Sequence, residues 1–117
     1  MEAEEIRQYC LSKKGVTESF PFDQDTLVFK VGGKIFLLMA LENHPIVFSA
    51  KANPDWSEEL RERYFQISGA YHMNKTHWNS VLCEGLLPAL ILELIDHSYD
   101  LVYQSLTKKV KVEIENL

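Results

Sequence analysis

The sharpest pattern in the chain runs from Thr26 to Leu41. Leu27, Phe29 and Val31 alternate with Val28 and Lys30, a period of two that makes one face of a β-strand apolar. Gly32-Gly33 follows, and two glycines accept the positive φ of a two-residue hairpin turn without strain. The return segment 34–41 is apolar on both faces, which predicts a central strand covered at least partly on each side. Glu42-Asn43-His44-Pro45 reverses the chain into a third strand, Ile46–Lys51, and such short connections predict antiparallel neighbours.

Helical spacing appears three times. Ile6, Tyr9, Cys10 and Lys13 form one stripe within 2–13, with Glu2, Glu4 and Glu5 at the start and Gly15 past the end. Asn53-Pro54 opens a second helix, its buried side supplied by Trp56, Leu60 and Tyr64, with Arg61 and Arg63 expected on the solvated side. Pro88 starts a third, to about Leu106, with Leu90, Ile91, Leu94, Ile95, Leu101 and Val102 on one face. Between the last two, Trp78–Cys83 reads as a further strand. In 16–25, Pro21 keeps Phe20 extended; Phe20 and Phe22 are expected to tuck under the sheet, Asp23 and Asp25 to face water. The end of the chain alternates Val110, Val112 and Ile114 with charges, and an edge strand and a frayed end stand open equally. The expectation is an α+β domain over 1–108, an antiparallel sheet with helices packed mainly on one face, and a tail over 109–117.

An apolar fraction of 46% over 117 residues fits one soluble domain. No apolar run approaches the roughly 20 residues of a membrane span, and the acidic start does not resemble a secretory signal, so a cytoplasmic protein without a membrane partner is expected. Cys10 and Cys83, far apart and flanked by apolar residues, read as buried hydrophobes. The formal charge of −5 argues against a strongly basic nucleic-acid binder. Its distribution nevertheless allows a mildly basic face, because 26–51 holds Lys30, Lys34 and Lys51 against Glu42 alone, and 69–83 holds Lys75 and two histidines without an acid.

Candidate chemistry collects in Gly69–Asn79, where Tyr71, His72, Asn74, Lys75, His77, Trp78 and Asn79 crowd one turn between a helix and a strand. His72 and His77 are five apart with no carboxylate between them and a lysine beside them, a poor zinc set. No nucleophile elbow, phosphate loop or dinucleotide fingerprint occurs, and neither Cys83 nor Ser80 has a base placed by the sequence. Neither catalysis nor a cofactor or metal is expected. Three uses of the turn remain: a phosphate contact with Tyr71 and Trp78 for stacking, a pocket for a protein or small-molecule ligand, or a tie between the second helix and the next strand.

The segments Leu27-Val-Phe-Lys-Val-Gly-Gly-Lys-Ile-Phe36, Tyr71-His-Met-Asn-Lys-Thr-His-Trp-Asn79 and Ile95-Asp-His-Ser-Tyr-Asp-Leu-Val102 together resemble the MmcQ/YjbR family of small bacterial proteins, over residues 4 to 108. The resemblance implies a fold like that of CyaY, bacterial frataxin. It also implies weak, backbone-directed DNA binding through a double-wing arrangement, an inference from fold rather than from a site. The family's characteristic positions fall here on Lys30, Gly33, Lys34, His72, Asn74, Lys75, His77 and Trp78. With Lys51 added, Lys30, Lys34, Lys51 and Lys75 would touch phosphates, and His72, Asn74, His77 and Trp78 would shape the site. The tail and the net negative charge depart from that pattern, and frataxin-like iron binding lacks its dense acidic ridge.

Overall fold

The computed structural model describes residues 1–70 and 73–117. Its elements run α1 (Ala3–Leu11), β1 (Val16–Ser19), β2 (Thr26–Val31), β3 (Lys34–Ala40), β4 (Val47–Lys51), α2 (Pro54–Arg63), β5 (Ile67–Gly69), β6 (Trp78–Leu82), α3 (Pro88–Gln104) and α4 (Lys108–Glu115). Six strands form one antiparallel sheet in the order β1-β2-β3-β4-β6-β5. The α+β architecture expected from the pattern is the one observed. Two short edge strands complete it: β1 is the short extended piece expected within 16–25, and β5 goes beyond the expectation. Neither has the length to show a period. None of the described helices is long and apolar enough to cross a membrane.

The hairpin is a tight turn with Gly32 at φ +58° and Gly33 at φ +82°, and Val31 pairs with Lys34 across it. Beside the turn the register slips: Phe29 faces Leu37 but Lys30 faces Ile35, so Phe36 is an extra residue on β3. Phe36 and Leu37 therefore both enter the core, where Phe36 meets Tyr99 edge to face at 5.4 Å between ring centroids. The bulge also takes the Phe36 carbonyl out of the ladder. The Ser98 hydroxyl of α3, fully buried, donates to that carbonyl at 2.5 Å and accepts from the Lys51 amide at 2.8 Å.

Ile6 and Cys10 of α1 and Ile91, Leu94, Ile95 and Val102 of α3 close the core over Leu27, Phe29, Leu37, Met39, Phe48 and Val81. Arg7 fixes α1 to β1 through a two-pronged bond to Glu18, at 2.7 and 2.8 Å. Lys13 and Tyr9 both reach Asp96 on α3.

Three expectations need correction. Phe20 and Phe22 do not tuck under the sheet; they are 49% and 65% exposed, because β1 occupies the edge they would have covered. Arg61 does not face solvent, as shown below. The tail is neither strand nor frayed end but helix α4, whose Thr107 hydroxyl accepts from the Val110 amide at 3.3 Å. Val110 and Ile114 satisfy a period of two and a spacing of i, i+4 alike, and the helix turns only Val112 outward. Ile114 packs on Gly15 and Val110 on Gly32: a Cβ at Gly32 would lie 2.7 Å from Leu106 Cδ1 and 2.9 Å from Val110 Cγ1.

Candidate functional site

Strand register fixes where the candidate residues fall. Val16 pairs with Val31, Val31 with Lys34, and Lys51 with Trp78, so the hairpin tip, the end of β4 and the start of β6 share one end of the sheet. Three strand spacings separate β2 from β6, about 14 Å. Lys30, Lys34, Lys51, Lys75 and Trp78 are thus brought to one end, but not to one face. By alternation Lys30, Lys51 and Trp78 project on the face away from the helices, and all three are half-buried. Lys34 turns the other way: its Nζ lies 3.4 Å from the hydroxyl and 3.5 Å from the carbonyl oxygen of Ser105, at the C-terminus of α3. Lys75 borders a small hollow with Pro54, Glu58, Arg61 and Thr76 on the α2 side. His72, and Tyr71 with it, lie outside the described residues.

The turn before β6 is built by hydrogen bonds. The Asn74 side chain accepts from the Thr76 amide at 3.0 Å, and its carbonyl accepts from the His77 and Trp78 amides at 3.1 and 2.9 Å. The His77 carbonyl takes the Ala52 amide at 2.8 Å, which ties the turn to the chain between β4 and α2.

Arg61, next to the apolar stripe of α2, is turned inward rather than into solvent. Its Nε donates to Asn79 Oδ1 at 2.7 Å, and its terminal nitrogen donates to the carbonyls of Lys75 and Trp78. Asn79, only 2% exposed, donates in turn to the buried Ser57 hydroxyl at 2.9 Å. Helix α2 is thereby fastened to β6 through a fully paired polar chain. The sequence carries a faint signal of this: Ser57 and Arg61 each follow a residue of the Trp56/Leu60 stripe and sit at its margin.

His97 gives no such signal. Its Nε2 accepts from the Asn53 amide at 3.1 Å, and its ring meets Trp56 at 4.6 Å between centroids. Desolvation holds its pKa below the ordinary 6.5, against opposing pulls from Asp100 and Glu93. A lowered histidine pKa means the unfolded chain binds the proton more readily, so stability present above about pH 6.5 is lost as pH falls through the folded value. His97→Gln keeps an acceptor without the titration. It should flatten the fall in urea midpoint between about pH 7 and pH 5; an unchanged slope would mean that His97 carries none of it.

All nine lysines lie at or beside the same end of the sheet. Lys13 and Lys14 precede β1, and Lys108, Lys109 and Lys111 belong to α4, which packs on Gly15 and Gly32. The opposite end, a strand length of roughly 20 Å away, holds Asp23, Asp25, Glu42 and Glu84. Glu2 joins them, lining a hollow there with Glu84. Some positive charge is compensated locally, Lys14 by the Glu115 carbonyl and Lys13 by Asp96. Carboxylates stand at the lysine end too: Glu113 lines a hollow with Gly32 and Gly33, and Glu58 borders Lys75.

The YjbR family model matches residues 11–101. The uncharacterized protein YjbR of Escherichia coli K12 is 36% identical over 101 residues, 85% of each chain. The uncharacterized protein YbdF of Escherichia coli O157:H7 is 37% identical over 108 residues, 91% of this chain and 88% of that one. Among solved structures, Deinococcus radiodurans protein DR2400, of family-model domain DUF419, superimposes with a TM-score of 0.89 at 37% identity over 96% of this chain and 86% of its own. A Pseudomonas syringae protein does so at 0.74 with 28% identity, over 87% and 99%. The three segments that carried the resemblance each have a structural role: a bulged hairpin, a hydrogen-bonded turn, and the His97-Ser98 pair that holds β3, β4 and α2 to α3. On fold and sequence together, the chain belongs to the YjbR family.

Proposed function

We propose that this protein is a non-catalytic binding protein of the cytoplasm whose lysine-bearing end takes the phosphate backbone of DNA, weakly and without reading its sequence. The observation that carries this reading is the gathering of all nine lysines at one end of an acidic molecule. A chain of net charge −5 can still present a positive field where its lysines outnumber the neighbouring carboxylates, and a polyanion orients to that field. The hairpin supports it as a buttressed platform rather than a free wing, since Leu106 and Val110 close on Gly32 from the helix side. Non-catalytic use fits the thiols: burial pushes Cys10 up to about 12 and Cys83 up to about 11, and a protonated thiol is a poor nucleophile.

Fluorescence anisotropy with a short labelled duplex tests it. Binding near the micromolar range at about 50 mM salt should weaken steeply by about 200 mM, with a slope of about 0.9 per phosphate neutralised. Lys34→Glu with Lys75→Glu should reduce both affinity and slope. No binding at low salt, or binding indifferent to salt and to both substitutions, defeats the proposal.

A further inference from the structure

We propose that the open face of the sheet holds a distinct site for a small amphipathic anion, a compact apolar body bearing one carboxylate or sulfonate. A hollow of about 570 Å³ lies on this face, within the range of small-molecule sites. Its floor is low because small side chains occupy the middle of an otherwise apolar surface: Ser49 and Ser80 face each other across β4 and β6, flanked by Leu38 and Val47. Its walls are two loops. Phe22 stands over it from the segment before β2, and Met73 from the turn before β6. Phe22 is 65% exposed, an aromatic ring at the rim of an apolar hollow. An apolar body seated in the hollow would cover that ring.

Charge sets the orientation. Lys51 follows Ser49 by two residues on the same face, and Lys30 pairs with Ile35, which lines the hollow, so both lysines rise from that face just beyond its lining. At the other end the Asp23 carboxylate is turned back on its own loop, accepting from the Asp25 amide at 2.9 Å and the Thr26 amide at 2.7 Å. Those bonds hold its pKa below the usual carboxylate range. A ligand with an apolar body over Leu38 and Val47, a hydrogen-bond partner in the two serines and an anion toward Lys30 and Lys51 satisfies the whole surface.

Two dyes separate these elements: 8-anilinonaphthalene-1-sulfonate, an aromatic body with one anion, and its uncharged analogue N-phenyl-1-naphthylamine. The anionic dye should bind saturably at one site, about tenfold tighter than the neutral one, as a charge-assisted contact predicts. Lys30→Gln with Lys51→Gln should remove that advantage and leave the neutral dye unaffected. Ser49→Phe should abolish both, with Ser80→Leu as the replacement if the first variant does not fold. The site shares Lys30 and Lys51 with the nucleic-acid reading but is tested apart from it: Lys34→Glu with Lys75→Glu, which tests that reading, should leave the preference for the anionic dye in place. Equal affinity for the two dyes, indifference to the lysine pair, or no saturable binding overturns the proposal. In the last case, a dimer broken by Ser49→Phe would assign the hollow to a second copy.

Discussion

Ser98→Ala is expected to destabilise the domain by about 2–5 kcal/mol, although it removes a single oxygen atom. The loss is not of packing. It comes from two backbone groups, the Phe36 carbonyl and the Lys51 amide, which the hydroxyl satisfies at once in a fully buried setting. Each buried group left unpaired costs roughly 1–3 kcal/mol, more than the net value of an ordinary hydrogen bond. In a domain of this size that corresponds to a fall in melting temperature of roughly 10–20 °C. Thermal and urea unfolding followed by circular dichroism should show it with the m-value unchanged. A Ser98→Ala protein within about 1 kcal/mol of the parent would mean that β3 and β4 relax to satisfy themselves, and that the bulge needs no help from α3. The bulge is the reason to expect otherwise, since it removes the carbonyl from any strand partner.

Asn79→Leu should cost about 3 kcal/mol for a related reason. The side chain bonds Arg61 on one atom and Ser57 on another, inside the junction of α2 and β6. Leucine strands a buried hydroxyl and takes from the guanidinium the acceptor nearest its charge, and a charge-assisted bond contributes about 1.5–3 kcal/mol. Arg61→Ala should cost less, because Ser57 and Asn79 keep each other. It should instead loosen the turn, whose carbonyls at Lys75 and Trp78 it gathers. Amide exchange distinguishes the two: Asn79→Leu lowers protection throughout, Arg61→Ala chiefly over 73–78. If both variants exchange like the parent, the polar chain is incidental to a junction held by Leu60 and Trp56.

The largest features are legible in residues 26–51 because hydrophobic period and turn chemistry are local properties. Leu27, Phe29 and Val31 had to share a face, and Gly32-Gly33 had to reverse the chain, whatever else the molecule did. Arg61 departs from its expected place for the opposite reason. A helical arginine one residue off the apolar stripe is usually solvated, and only the arrival of Asn79 and two carbonyls from another part of the chain makes the inward turn of Arg61 favourable. His97 and Ser98 are silent likewise, since their partners Asn53, Lys51 and Phe36 lie 44 to 62 residues away.

The order of strands, the polarity of charge and the hollow belong to the same class. Alternation along one strand says which side chains share a face, and by itself the sequence determined that much, together with the glycine turn, three of the four described helices and the family. It does not say which strands become neighbours. Only the sheet order put Lys30, Lys51 and Trp78 in register on one face, laid Ser49 beside Ser80 to make a depression, and brought α4 with its three lysines under the hairpin. Those are long-range pairings, chosen by the packing of a single core, and no local period encodes them.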